Sequence, residues 1–329
     1  MSKKKTHGRK RPAISSPIRR KRISIAVVLV LLVTGAAVAR FVGARATTRG
    51  VKSMASPAAM DSANPSKEYI YAGGRLLATE EPDTPAGPGL DTIGLYNPAN
   101  NHFYLRNSNT AGGFDLEFGY GGAGLTPITG DWNGDGVDTV GLYYPAGAAF
   151  FLRNSNTGGI ADITFTFGPA GLGFIPITGD WNGDGVDTVG LYDPANAGFF
   201  LRNSNTGGIA DIMFTFGPAG LGFVPITGEW NGDGVDTVGL YDPANAGFFL
   251  RNSNTGGIAD IVFTFGPAGL GFVPITGDWN GDGVDTMGLH DAPNAAFFLR
   301  NSNTGGIADL MFGYGGTGWK PVAGDWDGL

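Results

Sequence analysis

One nine-residue stretch of this chain carries the oxygen chemistry of a hard-cation loop. In Asp131-Trp132-Asn133-Gly134-Asp135-Gly136-Val137-Asp138-Thr139, oxygen side chains fall at positions 1, 3 and 5, and glycine stands at position 6. That glycine permits the sharp turn needed to bring the Val137 carbonyl onto the same centre. Ca2+ takes roughly six to eight oxygens, and alternating Asp and Asn around such a glycine is how a short loop supplies them. Mg2+ is less suited, because it demands a tighter octahedron and prefers to keep water. The candidate metal ligands are therefore Asp131, Asn133, Asp135, Val137 and Asp138. The set recurs as Asp180, Asn182, Asp184, Val186 and Asp187, as Glu229, Asn231, Asp233, Val235 and Asp236, and as Asp278, Asn280, Asp282, Val284 and Asp285. Asn-Gly-Asp-Gly is also a strong hairpin turn. Turn geometry alone does not call for acids packed where they repel one another, so Ca2+ is the expected cofactor. A clipped fifth copy, Asp325 to Leu329, lacks the position-5 acid and is a poor site.

Other recurring side chains invite chemistry but read better as structure. Trp132, Trp181, Trp230, Trp279 and Trp326 could stack sugars; an aromatic at a fixed repeat position is more often packing between neighbours. Arg153, Arg202, Arg251 and Arg300, each leading an Asn-Ser-Asn-Thr turn, suit pairing with an Asp of a neighbouring repeat, or else a polar recognition loop. No catalytic constellation emerges. His7, His102 and His290 are the only histidines, none at metal or triad spacing, and cysteine is absent, so the chain is not expected to be an enzyme.

The loops must be positioned by the repeat that contains them. From first residue to first residue the copies lie 49, 49, 49 and 47 residues apart, a period that signals a repeat architecture. Thr188 to Tyr192, Phe199 to Asn203, Ile212 to Phe216 and Phe223 to Thr227 read as four short strands, with Ile212, Phe214 and Phe216 on one face. Met213 is on the other, where the copies vary: Thr164, Val262, Met311. Pro225 and its equivalents Pro127, Pro176, Pro274 and Pro321 cannot donate to a ladder, so the strand before each acidic loop should be a sheet edge. Four antiparallel strands per repeat of about 49 make a β-propeller blade, with this strand innermost. The first copy begins at Asp91 without an inner strand, and the chain closes on Lys320 to Trp326, an inner strand with nothing after it. Five blades then close as one ring with a composite blade, leaving no open edge. An open solenoid, or a longer ring completed by another chain, is the alternative.

The loops resemble the FG-GAP/VCBS-type repeats of integrin-like propellers, in which Asp-x-Asn-Gly-Asp-Gly joins the two innermost strands of a blade and binds calcium. The resemblance covers residues 91–329. Phe167-Gly168 ends one outer strand, and Gly190-Leu191-Tyr192-Asp193-Pro194 falls where the family carries Gly-Ala-Pro. One departure concerns the last carboxylate. The family places it at position 9, whereas here Thr139, Thr188, Thr237 and Thr286 stand there and the Asp is at position 8. Either Asp138 reaches round, or Thr139 and water complete a weaker site.

Charge divides the chain. Residues 1–22 hold ten Lys/Arg and no acid, whereas from residue 86 onward 24 Asp/Glu face six Lys/Arg, a net of −18. So acidic a region is a poor nucleic-acid binder and a plausible cation binder. Residues 23–39 are uncharged and apolar, and with the basic arm before them they read as a membrane-spanning signal anchor. Ala37-Val38-Ala39 also fits cleavage as a signal peptide. Both readings place the repeats outside the cytoplasm. Residues 40–90 form a proline-broken linker with a hairpin signal at 69–80, which looks like one unit of the YD repeats of bacterial surface proteins. The expectation is an all-β, five-bladed, calcium-binding propeller acting as an adhesion module for a protein or glycan. The alternatives are a non-catalytic module of a surface hydrolase system and a calcium-dependent spacer.

Overall fold

The computed structural model describes residues 68–72, 75–80 and 89–328. The expected basic arm and the apolar run 23–39 lie outside the described residues. Among those described, no helix is long and apolar enough to cross a membrane. The hairpin expected at 69–80 is present: β1 (Glu68–Ala72) pairs antiparallel with β2 (Arg75–Glu80).

The remaining strands build five four-stranded antiparallel sheets. The chain first lays down β3 (Thr92–Asn97), β4 (His102–Leu105) and β5 (Leu116–Gly119). Blade two follows as β6 (Thr126–Gly130), β7 (Thr139–Tyr144), β8 (Ala149–Leu152) and β9 (Ile163–Thr166). Blade three is β10 (Ile175–Gly179), β11 (Thr188–Asp193), β12 (Gly198–Leu201) and β13 (Ile212–Thr215). Blade four is β14 (Val224–Gly228), β15 (Thr237–Asp242), β16 (Gly247–Leu250) and β17 (Ile261–Thr264). Blade five is β18 (Val273–Gly277), β19 (Thr286–Asp291), β20 (Ala296–Leu299) and β21 (Leu310–Gly313). The last strand, β22 (Lys320–Gly324), pairs antiparallel with β3 and completes blade one in the order β22-β3-β4-β5. The ring closes within one chain through a composite blade, as the two ends of the repeat region imply.

The proline-bearing strands β6, β10, β14, β18 and β22 are sheet edges, and each touches the next around the axis. Together they line a central channel of about 220 Å3. The second strands are buried on both faces because each serves two cores. In β7, Val140 and Leu142 pack toward blade one with Trp326 and Leu105, while Tyr143 packs toward blade three with Trp132, Val189 and Leu191. Every blade interface has such a core, and the tryptophans sit inside them at 3–4% exposure. They are packing residues, not a sugar-stacking ring. Outer strands β9, β13, β17 and β21 alternate half-buried with exposed, and Met213, Val262 and Met311 point outward as the variation among copies suggests.

Candidate functional site

Each acidic loop joins the innermost strand of a blade to the second, and its first acid organises it. Asp131 Oδ1 accepts the backbone N–H of Gly134 (2.8 Å), Asp135 (3.2 Å) and Asn133 (3.3 Å), and Oδ2 accepts that of Gly136 (2.7 Å). Gly134 and Gly136 make this possible with φ of 73° and 83°, a left-handed region open to glycine. Asn133 donates Nδ2–H to Asp135 Oδ2 at 2.9 Å, and Asp135 Oδ1 accepts Val137 N–H at 3.1 Å. The loops at Asp180 and Asp278 repeat this geometry. Glu229, one methylene longer, reaches one amide further: Oε1 accepts from Asn231 and Gly232, and Oε2 accepts from Gly234 and Val235.

The position-8 aspartates do something different. Asp187 donates its N–H to the Asp131 carbonyl at 2.8 Å, and its Oδ2 accepts the Asp131 N–H at 2.8 Å. This reciprocal pair clasps blade three to blade two. The same clasp joins Asp236 to Asp180, Asp285 to Glu229, Asp91 to Asp278 and Asp138 to Asp325. It recurs at all five interfaces. The glycine ending each inner strand clears the space: a Cβ on Gly179 would lie 2.8 Å from the Cβ of Asp236. Asp138 therefore does not reach round to its own loop. Thr139 does not either, since its hydroxyl donates to the Arg153 carbonyl at 2.7 Å inside the blade.

These five carboxyls also act on one another. The residues are half-buried, and burial is still the first cause raising their pKa values. Asp138 and Asp236 are pushed up to about 7. Asp91, Asp187 and Asp285 are raised well above the carboxylate range, by burial first and then by neighbouring carboxylates. Asp138 acts on Asp187 beside it and on Asp285 two blades away, so the ring converges on the axis.

The donor set in each loop fits a hydrated hard cation only in part. Asp131, Asn133, Asp135 and the Val137 carbonyl share one eight-residue turn, but the position-1 carboxylate already holds four amides and the position-8 carboxylate belongs to the next blade. Among the described residues no three acidic or histidine side chains gather closely enough to hold a metal by themselves. Water would have to fill the remaining positions.

The repeated arginines correct an expectation. Arg153 pairs with Asp162 of its own blade at 2.8 Å, as do Arg202 with Asp211 (2.9 Å) and Arg251 with Asp260 (2.7 Å). No neighbouring blade is involved, because the guanidinium fork is consumed locally. Arg202 also donates to Ile209 O (2.7 Å), Ser204 Oγ (3.0 Å) and Thr206 Oγ1 (3.0 Å), stapling its own turn.

Two features went unread in the sequence. The clasp had a visible signal, because Asp91 keeps the position-8 acid although no loop precedes it. The second signal is an apolar residue repeated in a polar turn: Ile160, Ile209, Ile258 and Ile307 are 84–85% exposed.

No protein-family model matches the sequence, and no curated protein matches it. Among solved structures, the chain is similar to an Agrocybe aegerita lectin described as recognising non-reducing terminal N-acetylglucosamine, at 16% identity and a TM-score of 0.38, over 59% of this chain and 55% of that one. It is also similar to BBS1N solved in complex with ARL6DN, at 8% identity and a TM-score of 0.35, over 65% of this chain and 61% of that one. The chain thus spans under two thirds of the length of either.

Proposed function

We propose that this protein is a non-enzymatic recognition module, a calcium-stabilised propeller displayed outside the cytoplasm, held by residues 23–39 or released by cleavage after Ala39, that binds a protein or glycan. The observation that carries this reading is the repetition of one loop set around a closed ring. A catalytic site needs unlike groups converging once, whereas identical weak sites on a rigid ring add through effective concentration. Loops on a rigid scaffold suit recognition. In this reading Asp131, Asn133, Asp135 and the Val137 carbonyl, with their counterparts in the next three loops, hold the cation. Its role there is to offset part of the negative charge at the loops and stiffen the turns. The sequence pattern, rather than a completed coordination shell, supports that assignment, and the FG-GAP/VCBS likeness of the loops agrees with it.

Two measurements test the proposal. Full-length protein is screened on glycan and surface-protein arrays with and without chelator; silence on both arrays would sink the recognition reading. Melting with added Ca2+ tests the metal. At about ten times its dissociation constant a ligand contributes about 1.4 kcal/mol per site, so four loops should raise Tm by several degrees. An unchanged Tm removes calcium from the reading.

A further inference from the structure

Between the blades, away from the acidic loops, lie apolar pockets that the fold repeats. One of about 390 Å3 sits between blades three and four, walled by Phe216, Phe223, Leu240, Phe249, Ile258 and Val262. Another of about 330 Å3 sits between blades two and three, where Phe174, Phe200, Ile209 and Met213 take the same places. The aromatic floor recurs: Phe223 stacks on Phe249 at 5.8 Å, Phe174 on Phe200 at 5.7 Å and Phe272 on Phe298 at 5.6 Å. These volumes fall in the range of ligand pockets.

The rim is built and held. Ile209 stands almost fully exposed in an otherwise polar turn, and Arg202 donates to its carbonyl at 2.7 Å. Arg251 does the same for Ile258 at 2.6 Å, and Arg153 for Ile160 at 2.6 Å. The turn also reaches the preceding blade, where Gly257 bridges to Phe216 and Gly208 to Phe167. The backbone of the turn is thus held, while the isoleucine side chain it carries stays in water and buries little for the fold. It is pre-organised for contact, which lowers the cost of binding.

Charge selects the occupant. The repeat region carries a net of −18, and the arginines beside the pockets spend their guanidinium groups inside their own turns. The repeat region of a second copy would bring the same charge and be repelled, as would an anionic membrane. The pocket walls present Phe, Leu, Ile, Val, Met, Ala, Pro and Gly and no polar side chain, so they offer a sugar little to bond. We infer that the inter-blade pockets receive aliphatic or aromatic side chains of a basic polypeptide, the acidic surface drawing it in and the isoleucine-rimmed pockets seating its apolar residues. This rests on the recognition reading and narrows the ligand to a basic protein.

The test titrates full-length protein with three synthetic peptides by calorimetry: alternating Lys-Leu, alternating Glu-Leu and alternating Lys-Ser. Lys-Leu alone should bind, and raising salt from ~50 to ~500 mM should weaken it by roughly tenfold or more. Ile160→Ser, Ile209→Ser, Ile258→Ser and Ile307→Ser combined should cost at least about tenfold in affinity with Tm unchanged. Leu172→Ser, Leu221→Ser and Leu270→Ser, also exposed (66–69%) but outside the pocket walls, should leave binding intact. Absence of Lys-Leu binding, equal binding of Glu-Leu, or loss in the leucine variant overturns the inference. So does self-association that depends on these isoleucines, or binding to neutral phosphatidylcholine vesicles that is lost in the isoleucine variant. If the peptide fails while an array ligand binds, the inference falls and the recognition reading stands; if nothing binds, both fall.

Discussion

His290 is the residue at which one blade departs from its siblings. Tyr96, Tyr143, Tyr192 and Tyr241 hold the equivalent place in blades one to four, and in blade five the imidazole is fully buried, stacked at 4.5 Å on Phe297, with neither ring nitrogen bonded. Burial pushes its pKa down to about 4, with Asp291 pulling weakly the other way. The unfolded chain binds the proton from about 6.5 downward and the folded chain does not, so stability is lost as pH falls from about 6.5 toward 4. The shift corresponds to at most about 3 kcal/mol. His290→Tyr should therefore raise Tm at pH 7.5, by removing unpaired buried nitrogens, and raise it further at pH 5. An equal gain at both pH values would show that protonation is not what limits this blade.

The element on which the ring depends is the loop with its clasp, and here repulsion opposes the bond. Each position-8 aspartate accepts a neighbouring amide while other carboxylates press on it. For Asp236, pushed up to about 7 by burial first and by Asp180 and Glu229, the folded state holds the proton that the unfolded state releases near 4. Its ionisation therefore costs stability progressively as pH rises from about 4 to about 7, the reverse of a salt-bridged carboxylate. Asp236→Asn keeps an oxygen for the Asp180 N–H and removes the charge. In chelator, thermal melts should show it stabilised at pH 8 and nearly neutral at pH 5, whereas Asp236→Ala, which leaves that amide unpaired, should lose about 1–3 kcal/mol at both. Asn as destabilising as Ala at pH 8 would mean the carboxylate charge is needed. Much of this element is legible in sequence. Alternation marks the strands, and Pro225 marks the inner edge. The partner each clasp takes is not, because Asp187 and Asp131 lie 56 residues apart and Asp91 and Asp278 lie 187 apart, and no local pattern encodes such a pairing. The arginine failed differently: Asp162 follows Arg153 by nine residues, near enough to read, yet charge alone does not say which blade supplies the partner.

At the scale of the whole molecule, closure is the step that converts five marginal sheets into one body. A lone four-stranded blade leaves both faces open, and each core here needs side chains from two blades. The final ten residues close the last gap three ways at once. Residues 320–324 pair with residues 92–96, Val322 and Trp326 enter the core between blades one and two, and Asp325 takes the clasp from Asp138. Losing a buried Trp alone costs about 3–5 kcal/mol, against a total stability of about 5–15 kcal/mol. Ending the chain after Gly318 should therefore abolish the cooperative monomeric melt. The uncovered edge of β3 is then a template for another chain, so sedimentation should show concentration-dependent association. A synthetic peptide of residues 319–329 should restore the monomer and the melt, since the gap has one shape and one register to accept. If the truncated chain instead stays monomeric and melts within a few degrees of the full protein, the neighbouring blades hold the ring without its closing strand, and the clasps and inter-blade cores are individually stronger than their geometry implies.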